Sequence, residues 1–250
     1  MSHEDRQFVE AFARGILLFE VLSKHRKPMS NGDLARHTSL PPSTVSRLTY
    51  TAMKLGYLRH ADTGRAYELT PKSLNLGYSV LSGMALINRA TPVLKAMAEK
   101  TSQTVALCVR DGLHVTFVHV VAGTDLLAVR FAVGGRMPIA TSAAGHAILA
   151  ALPEKDRRNL ANRVRAELKQ HEGNIDVFNA QLQQCIQEGV ASARDSWRRG
   201  IGGIAMGLSA EGKPAAITIP FSTGSISDAQ VQEVLLPVLR QGVSDLLRDL

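Results

Sequence analysis

The chain has 250 residues, enough for one large or two moderate domains, and 45% of them are apolar, as in ordinary globular proteins. Its two cysteines, Cys108 and Cys185, argue against a disulfide framework and against a structural zinc site. Because no segment approaches the ~20 apolar residues that span a bilayer, and the N-terminus lacks the apolar core of a signal peptide, we expect a cytoplasmic protein.

The net charge of +7 is concentrated in the first part of the chain. Residues 1 to 100 contain 14 Lys or Arg and 8 Asp or Glu, whereas residues 101 to 250 contain 15 and 14. A basic first part on a nearly neutral remainder favours binding to a polyanion. Charge alone is explained more simply by a solvated basic surface, so the interpretation depends on the motifs.

The first two predicted elements are helices. Apolar residues at steps of three and four predict a helix from Gln7 to His25 with one buried stripe, formed by Val9, Phe12, Ile16, Phe19 and Leu22. Ser30, with Asp33 three residues later, predicts the capped start of a short second helix that ends near Thr38.

A third helix is predicted to start at Pro42, since proline fits the first turn of a helix. Its apolar stripe is Val45, Leu48, Ala52 and Leu55. The opposite side carries hydroxyls and cations, namely Ser43, Thr44, Ser46, Arg47, Tyr50, Thr51 and Lys54. Residues of this kind reach base edges and phosphates, so residues 31 to 55 indicate a helix-turn-helix that binds DNA.

Residues 57 to 69 predict a β-hairpin around the turn D-T-G-R. A hairpin that directly follows a recognition helix would be a wing, with Arg65 at its tip close to phosphates. The alternative is a hairpin that only closes the small core.

Residues 71 to 83 predict a linker helix, and Met84 to Lys100 a long amphipathic helix. The linker is apolar around much of its surface, which favours burial against a partner chain or against the second domain.

From Thr104 the apolar pattern changes to that of strands. The segment around Asp111-Gly112 predicts a hairpin, followed by a third strand from Leu126 to Val133. A helix of small residues is then predicted from Ala140 to Leu152. The remaining predicted elements are helices over 154–169 and 175–188, strands over 203–208 and 215–220 around Glu211-Gly212, and a final helix over 227–250. This order predicts an α+β domain.

No catalytic or metal site is predicted. Ser142 and His146 are one helical turn apart, but no acid is spaced to orient the histidine. His114 and His119 lie five residues apart on one predicted strand and are expected to point to opposite faces. The sequence therefore favours a binding protein over an enzyme.

The chain resembles the IclR family of bacterial transcription regulators over almost its whole length. The matching segments are A-R-G-I-L-L-F-E-V-L and D-L-A-R-H-T-S-L-P-P-S-T-V-S-R-L in the first part, and G-G-R-M-P-I-A-T-S-A-A-G-H-A-I-L-A-A-L-P-E and G-I-G-G-I-A in the second. The resemblance implies a winged helix-turn-helix domain at 7–70, a linker helix at 71–83 and a GAF-like α/β effector-binding and oligomerisation domain at 84–250.

The resemblance also implies a partner for each part: double-stranded operator DNA, a small-molecule effector, and further copies of the chain in a homodimer or homotetramer. No cofactor and no membrane are implied. Groove contacts fall on Ser43, Thr44, Ser46 and Arg47, with Tyr50 and Thr51 beside them and phosphate contacts from Arg14 and Arg65. The effector pocket falls on Leu126, Val129, Met137, Ser142, Ala143, Ala144, Ile201, Gly203 and Thr218.

One departure from the family concerns the effector. Relatives that bind small keto acids present an acid, a thiol and two hydroxyls, and the corresponding positions here are Ala193, Gly203, Thr218 and Pro220. Only one hydroxyl, that of Thr218, remains at these positions, which favours a larger or more apolar ligand, such as an aromatic acid. The only tryptophan, Trp197, is either a loop anchor or a gate over the pocket, with Arg198 or Arg199 beside it.

The favoured function is a ligand-responsive transcription regulator, in the first instance a repressor of a catabolic or metabolic operon. An activator of the same family is the alternative. A hydrolase or transferase with an accessory winged helix would need an acid convergent with His146. A winged-helix module that binds only proteins would bind with little dependence on salt.

Overall fold

The computed structural model describes residues 7–62, 64–210 and 212–248. Its contacts divide the chain into two compact units, one up to Val80 and one from Leu81 onward. Among the described residues, no helix is long and apolar enough to cross a membrane.

Three helices build the first unit: α1 (Glu10–His25), α2 (Asn31–Thr38) and α3 (Pro42–Lys54). The predicted stripe of α1 is mostly wrong, since Leu18, Val21 and Leu22 are its buried residues. Phe12 is 70% exposed, and Val9 and Ile16 are exposed as well. The core of the unit is formed with residues of α2, α3 and the hairpin, which cover only the side of α1 that carries Leu18 and Leu22.

The start of α2 is as predicted. Ser30 Oγ accepts a hydrogen bond from the backbone N–H of Asp33, and the Asp33 carboxylate accepts one from the backbone N–H of Ser30. The Ser30 hydroxyl also donates to the Asp33 carboxylate at 2.7 Å. This bond, the backbone bond and Arg36 stabilise the ionised carboxylate, so the pKa of Asp33 falls to about 2. Asn31 then ties α2 to α3, since its Nδ2 donates to the carbonyl of Pro42 at 3.1 Å.

In α3, Val45 and Ala52 are buried and Leu48 is half-buried, but Leu55 is 57% exposed because the helix has already ended at Lys54. Thr49 takes part in the core, although the apolar pattern did not predict it. Its hydroxyl donates to the carbonyl of Val45 at 3.0 Å, which satisfies its polar group inside the core.

Strands β1 (Leu58–His60) and β2 (Tyr67–Leu69) form the predicted hairpin, with His60 opposite Tyr67. Met29, just before α2, pairs with Tyr67 as an isolated bridge on the other edge of β2. The hairpin is thereby fixed to the helical core. Thr63, in the predicted turn, lies outside the described residues.

The linker starts with a 3₁₀ turn, Pro71–Ser73, and continues as α4 (Leu74–Ser82). None of the α4 residues is buried in the single chain. Leu74, Leu76, Tyr78 and Val80 are between 57% and 72% exposed. The apolar surface predicted to be covered is therefore open in the chain alone.

The second unit contains a six-stranded antiparallel sheet in the order β5-β4-β3-β8-β7-β6. The strands are β3 (Val105–Asp111), β4 (His114–Val121), β5 (Arg136–Pro138), β6 (Ala191–Arg194), β7 (Ile201–Ala210) and β8 (Lys213–Ser222). Helices α5 (Ala85–Thr101) and α10 (Leu236–Arg248) share one apolar core with the sheet, while α6 (Ala143–Ala151), α7 (Glu154–Gln170) and α8 (Ile175–Glu188) share the other.

The final helix is interrupted rather than continuous. Ser227 caps the short α9 (Asp228–Gln230), a five-residue π turn follows at Val231–Leu235, and α10 then ends at Arg248.

The predicted third strand, Leu126 to Val133, is wrong: this segment is a loop, and β5 follows it. Asp125 starts the loop, since its carboxylate accepts from the backbone N–H of Leu127 and its carbonyl accepts from that of Ala128. This turn leaves Leu126 93% exposed. A further strand, β6, was not predicted, because Ala-Ser-Ala-Arg has little β propensity.

The prediction that His114 and His119 point to opposite faces is also wrong. A β-bulge in the pairing of β3 with β4 adds one residue between them and changes the alternation. Val115 packs toward α6, so His114 points the other way, and His119 Nε2 lies 3.2 Å from Thr91 Oγ1 on α5. Among the described residues, no three His, Cys, Asp or Glu are grouped to hold a metal.

Helix α6 lies very close to the sheet because its residues and those of β7 are small. A Cβ placed on Gly207 would lie 2.1 Å from the carbonyl oxygen of Ala147, so only hydrogen fits at this position. Ser142 caps the helix: its Oγ accepts from Gly145 N at 3.1 Å and donates to the carbonyl of Pro138 at 2.7 Å.

His146 is fully buried on α6 and should make stability depend on pH. Its Nδ1–H donates to the carbonyl of Ser142 at 2.9 Å, and its Nε2 has no hydrogen-bond partner in the described structure. Burial therefore lowers its pKa from 6.5 to about 4. The neutral ring is favoured in the folded state, so stability is highest above pH 6.5 and is lost as the pH falls toward 4. Between pH 7.5 and 5.5 the loss should be about 1 kcal/mol.

The measurement is the free energy of urea unfolding at both pH values, for the natural chain and for His146→Leu. The variant should lose the part of the pH dependence that His146 causes. If the free energy of unfolding changes with pH equally in the two proteins, groups other than His146 cause the dependence.

Candidate nucleic-acid interface and ligand cleft

The exposed face of α3 carries the residues predicted to contact DNA. Ser43, Ser46, Arg47 and Tyr50 follow the helical repeat along one line, and Thr44 beside them is half-buried. Val45, Thr49 and Ala52 hold the opposite face in the core. The division of α3 into a buried and an exposed side therefore presents these polar groups together on a rigid element.

The guanidinium of Arg47 makes no hydrogen bond or ion pair within the described chain, so all its donors remain available. Thr51 is already engaged, since its hydroxyl donates to the carbonyl of Arg47 at 2.9 Å. The ammonium of Lys54 lies 5.6 Å from the ring centre of Tyr50. Arg47 is thus the side chain on α3 best placed to form a bidentate contact with a base.

The two arginines predicted to bind phosphate differ in their surroundings. Arg65 is exposed in the hairpin turn. Arg14 on α1 already forms an ion pair with Glu10, one helical turn earlier. A phosphate contact by Arg14 would therefore replace or share that carboxylate, whereas Arg65 has no such competitor among the described residues.

The second unit contains a cleft beside the start of α6 that is open to solvent on one side. Fourteen residues line it: Phe117, Phe131, Met137, Thr141, Ser142, Ala143, Ala193, Ser196, Trp197, Ile201, Gly202, Gly203, Thr218 and Pro220. Six of the nine predicted pocket residues are among them, namely Met137, Ser142, Ala143, Ile201, Gly203 and Thr218.

The other three predicted residues do not line the cleft. Leu126 is at the exposed end of the loop that replaces the predicted strand, and Val129 lies in the same loop. Ala144 is buried in the core and is not part of the lining. The missing strand therefore explains two of the three differences.

One side of the cleft is aromatic, which the sequence did not predict. The rings of Phe117 and Phe131 stack with their centres 4.5 Å apart, and Trp197 meets Phe131 at 6.0 Å. Arg198 lies over the indole of Trp197 at 4.4 Å. We call Phe117, Phe131 and Trp197 the aromatic wall. Its three members are far apart in sequence, so no local pattern could have identified it.

The polar groups of the cleft are few. The hydroxyls of Ser142 and Thr218 already donate to backbone carbonyls. Thr141 Oγ1 is buried without a hydrogen-bond partner in the described structure. At the start of α6, the N–H groups of Ala143 and Ala144 precede the first intrahelical donor, and together with the helix dipole they favour an anion. No ionisable side chain is among the fourteen lining residues.

The geometry does not support a nucleophile at Ser142. His146 contacts the backbone carbonyl of Ser142, not its hydroxyl, and the hydroxyl donates to Pro138 instead. Burial raises the pKa of the Cys108 thiol far above its ordinary value, which keeps it protonated and unreactive.

Comparison with known proteins matches both units to domains of one protein family. Residues 11–62 match the IclR helix-turn-helix domain, and residues 78–247 match the C-terminal domain of the bacterial transcriptional regulator IclR. The Pca regulon regulatory protein of Pseudomonas putida is 26% identical over 98% of this chain and 86% of its own. The transcriptional repressor IclR of Escherichia coli is 27% identical over 62% of this chain and 57% of its own.

Among solved structures, an IclR homologue from Microbacterium hydrocarbonoxydans in complex with 4-hydroxybenzoate has the same fold, with a TM-score of 0.73. It is 18% identical, and the match covers 96% of this chain and 98% of that one. The relatives found are named as transcriptional regulators, not enzymes. The chain therefore belongs to the IclR family of bacterial transcriptional regulators, with a DNA-binding helix-turn-helix domain and an effector domain.

Proposed function

We propose that the protein is a repressor that binds a pseudo-palindromic operator as a dimer and is released by a small organic acid. This proposal rests on the exposed face of α3. There the unpaired guanidinium of Arg47 lies among short hydroxyl side chains, on a helix whose other side is buried in the core. In this proposal residues 7–70 bind DNA, 71–83 link the domains, and 84–250 bind the effector and contribute to oligomerisation.

The repressor role is supported by the relative from Escherichia coli, which is named a repressor. An effector can release DNA only if it binds one arrangement of the protein better than the other. Two recognition helices in a symmetric dimer contact both half-sites when they lie about 34 Å apart, one turn of DNA, or at a multiple of that distance. A ligand that changes this separation would lower affinity for the operator.

The acid is supported by the free N–H groups at the start of α6, which suit a carboxylate. It is supported also by the solved relative from Microbacterium hydrocarbonoxydans, which is in complex with 4-hydroxybenzoate, an organic acid. We propose that the effector's carboxylate lies beside Ala143 and that the rest of the molecule fills the cleft.

The decisive test is fluorescence anisotropy with DNA from immediately upstream of the protein's own gene, against scrambled DNA, at two salt concentrations. We expect tight, selective binding that weakens steeply as salt rises, because phosphate contacts release counterions. Candidate acids are then added to the complex to look for release. Binding that is neither selective nor salt-sensitive would contradict the proposal and favour a module that binds proteins.

A dimer is supported by the exposed apolar side chains of the first unit. Val9, just before α1, and Phe12 on α1 are exposed, and so are Leu76 and Tyr78 on α4. Large apolar patches of this kind usually mark an interface. The double variant Leu76→Glu/Tyr78→Glu should therefore be monomeric by light scattering at a concentration where the natural chain is a dimer.

The control is Asn75→Glu, which places a charge at an exposed polar position of the same helix. It should leave the mass unchanged. If the double variant is still a dimer, α4 is not part of the dimer interface.

A further inference from the structure

The residues that begin the linker are hydrogen-bonded to the chain just after α3. Three successive carbonyls there accept these bonds. Thr70 Oγ1 donates to the carbonyl of Gly56 at 2.6 Å, and the backbone N–H of Thr70 donates to that of Tyr57 at 2.9 Å. Lys72 Nζ donates to the carbonyl of Leu55 at 2.9 Å. We call Thr70 and Lys72, with the three carbonyls that they contact, the linker clamp.

Helix α3 does not need the linker clamp in order to end. Gly56 adopts the left-handed conformation, with φ +77°, and its N–H donates to the carbonyl of Met53 at 2.9 Å. The N–H of Tyr57 donates to that of Ala52, also at 2.9 Å, which completes a glycine-terminated helix end. Leu55 and Gly56 are exposed, so water would satisfy their carbonyls if the clamp side chains were absent. The clamp is therefore an added connection between α3 and the linker.

Tyr57 extends the linker clamp to α1. The Lys72 ammonium lies 4.9 Å from the centre of the Tyr57 ring, a cation–π contact. The same ring packs edge-on against Phe19 of α1, with the ring centres 5.9 Å apart. Helix α1 and the linker carry the exposed apolar side chains on which the proposed dimer rests. The clamp thus connects the elements proposed for dimerisation with the helix proposed to enter the DNA groove.

We propose that Thr70 and Lys72 are positioning residues for operator binding: they fix α3 to the linker, so that a dimer contact made by α4 sets the position of both recognition helices. This inference rests on the proposed function in one respect, the symmetric dimer that contacts two half-sites. Neither side chain has to touch DNA for this role.

The clamp acts by preorganisation. A dimer whose recognition helices are already fixed at the half-site separation loses less conformational freedom when it binds. Without the clamp, α3 can turn relative to α4, and binding to the second half-site has to order it. Binding to a single half-site involves one recognition helix and does not depend on its position relative to the other. The clamp therefore increases the preference for two half-sites over one.

The experiment measures this preference by fluorescence anisotropy with two DNAs, the operator and the operator with one half-site scrambled. The ratio of the two dissociation constants should fall by roughly three- to tenfold in the double variant Thr70→Val/Lys72→Met, since two hydrogen bonds are lost while the side chains keep nearly the same size. Affinity for the single half-site should equal that of a variant that lacks one positive charge elsewhere.

That charge control is Lys27→Met, at an exposed position of the same unit outside the clamp, and it should keep the natural ratio. The conservative variant Thr70→Ser/Lys72→Arg retains a hydroxyl and a cation and should keep the ratio as well. Light scattering and thermal unfolding check that each variant is dimeric and folded. If the double variant does not fold, Lys72→Met replaces it, because Lys72 is exposed and its truncation leaves no buried cavity.

The results separate the clamp from the dimer. If the natural chain prefers two half-sites and the double variant has the same preference, the clamp does not position the recognition helices and the inference is wrong. If the double variant binds both DNAs more weakly by the same factor, Thr70 and Lys72 only stabilise the domain, and the inference is again wrong. If the natural chain binds one half-site as tightly as two, the proposed dimeric complex is wrong and the inference falls with it.

Discussion

Replacing Arg47 by alanine is expected to weaken operator binding by about 1–3 kcal/mol, between roughly five- and 150-fold, if its guanidinium contacts a guanine. Arg47 is exposed on α3 and is paired with no carboxylate of the described chain. Its loss should therefore lower the affinity for DNA without lowering the stability of the fold. Fluorescence anisotropy with operator and scrambled DNA measures the effect. The preference for operator should shrink along with the affinity.

A phosphate contact would give a different result. Affinity would then fall equally for both DNAs. The slope of log affinity against log salt concentration would become smaller by about 1, since about one counterion fewer is released on binding. Arg163→Ala is the matched control, because Arg163 is exposed on α7 in the second unit and its loss changes the net charge equally. Binding by Arg47→Ala that equals the control would contradict the assignment of α3 as the recognition helix.

The second large effect is expected at Gly207, where alanine should lower the free energy of unfolding by about 1–3 kcal/mol. Alanine normally stabilises a strand relative to glycine, so the propensity of the residue predicts the opposite sign. Here the added Cβ would lie 2.1 Å from the carbonyl oxygen of Ala147 and 2.8 Å from the Cβ of Ala151. Helix α6 would have to move away from the sheet, and its packing would be lost along much of its length.

Gly203→Ala provides the comparison, since it is the same substitution on the same strand and meets only ordinary contacts. It should leave the melting temperature unchanged or raise it slightly. Thermal unfolding of the two variants without ligand distinguishes the cases. Similar melting temperatures would show that α6 tolerates displacement, and would contradict the close packing as a source of stability.

Elements with strong local signals were predicted well from sequence. Ser30 with Asp33 gave the start of α2, Pro42 that of α3, and Asp111-Gly112 the hairpin of β3 and β4. Each signal acts through bonds or steric limits within a few residues, so no distant partner is needed. The loop around Leu126 was predicted as a strand because its composition favours one. No strand of the described residues pairs with it, and Asp125 closes a turn there instead.

The face of α3 was predictable for the same reason, since one helical repeat separates its polar from its buried side. The cleft was predictable only where the family resemblance supplied positions. The aromatic wall joins Phe117, Phe131 and Trp197 from a strand and two loops, and only the folded chain brings them together. The bulge that turns His119 toward α5 also has no local signal, because it depends on the pairing of β3 with β4.

The apolar side chains of α4 stay in water when the chain is alone, and this has a consequence for regulation in a cell. If two copies must meet before two recognition helices can bind, the number of competent regulators rises as the square of the copy number at low abundance. Dilution by growth would then release the operator more sharply than it would for a regulator that acts as a monomer. A surface that contacts neither DNA nor ligand would thereby set the expression threshold at which the gene is silenced.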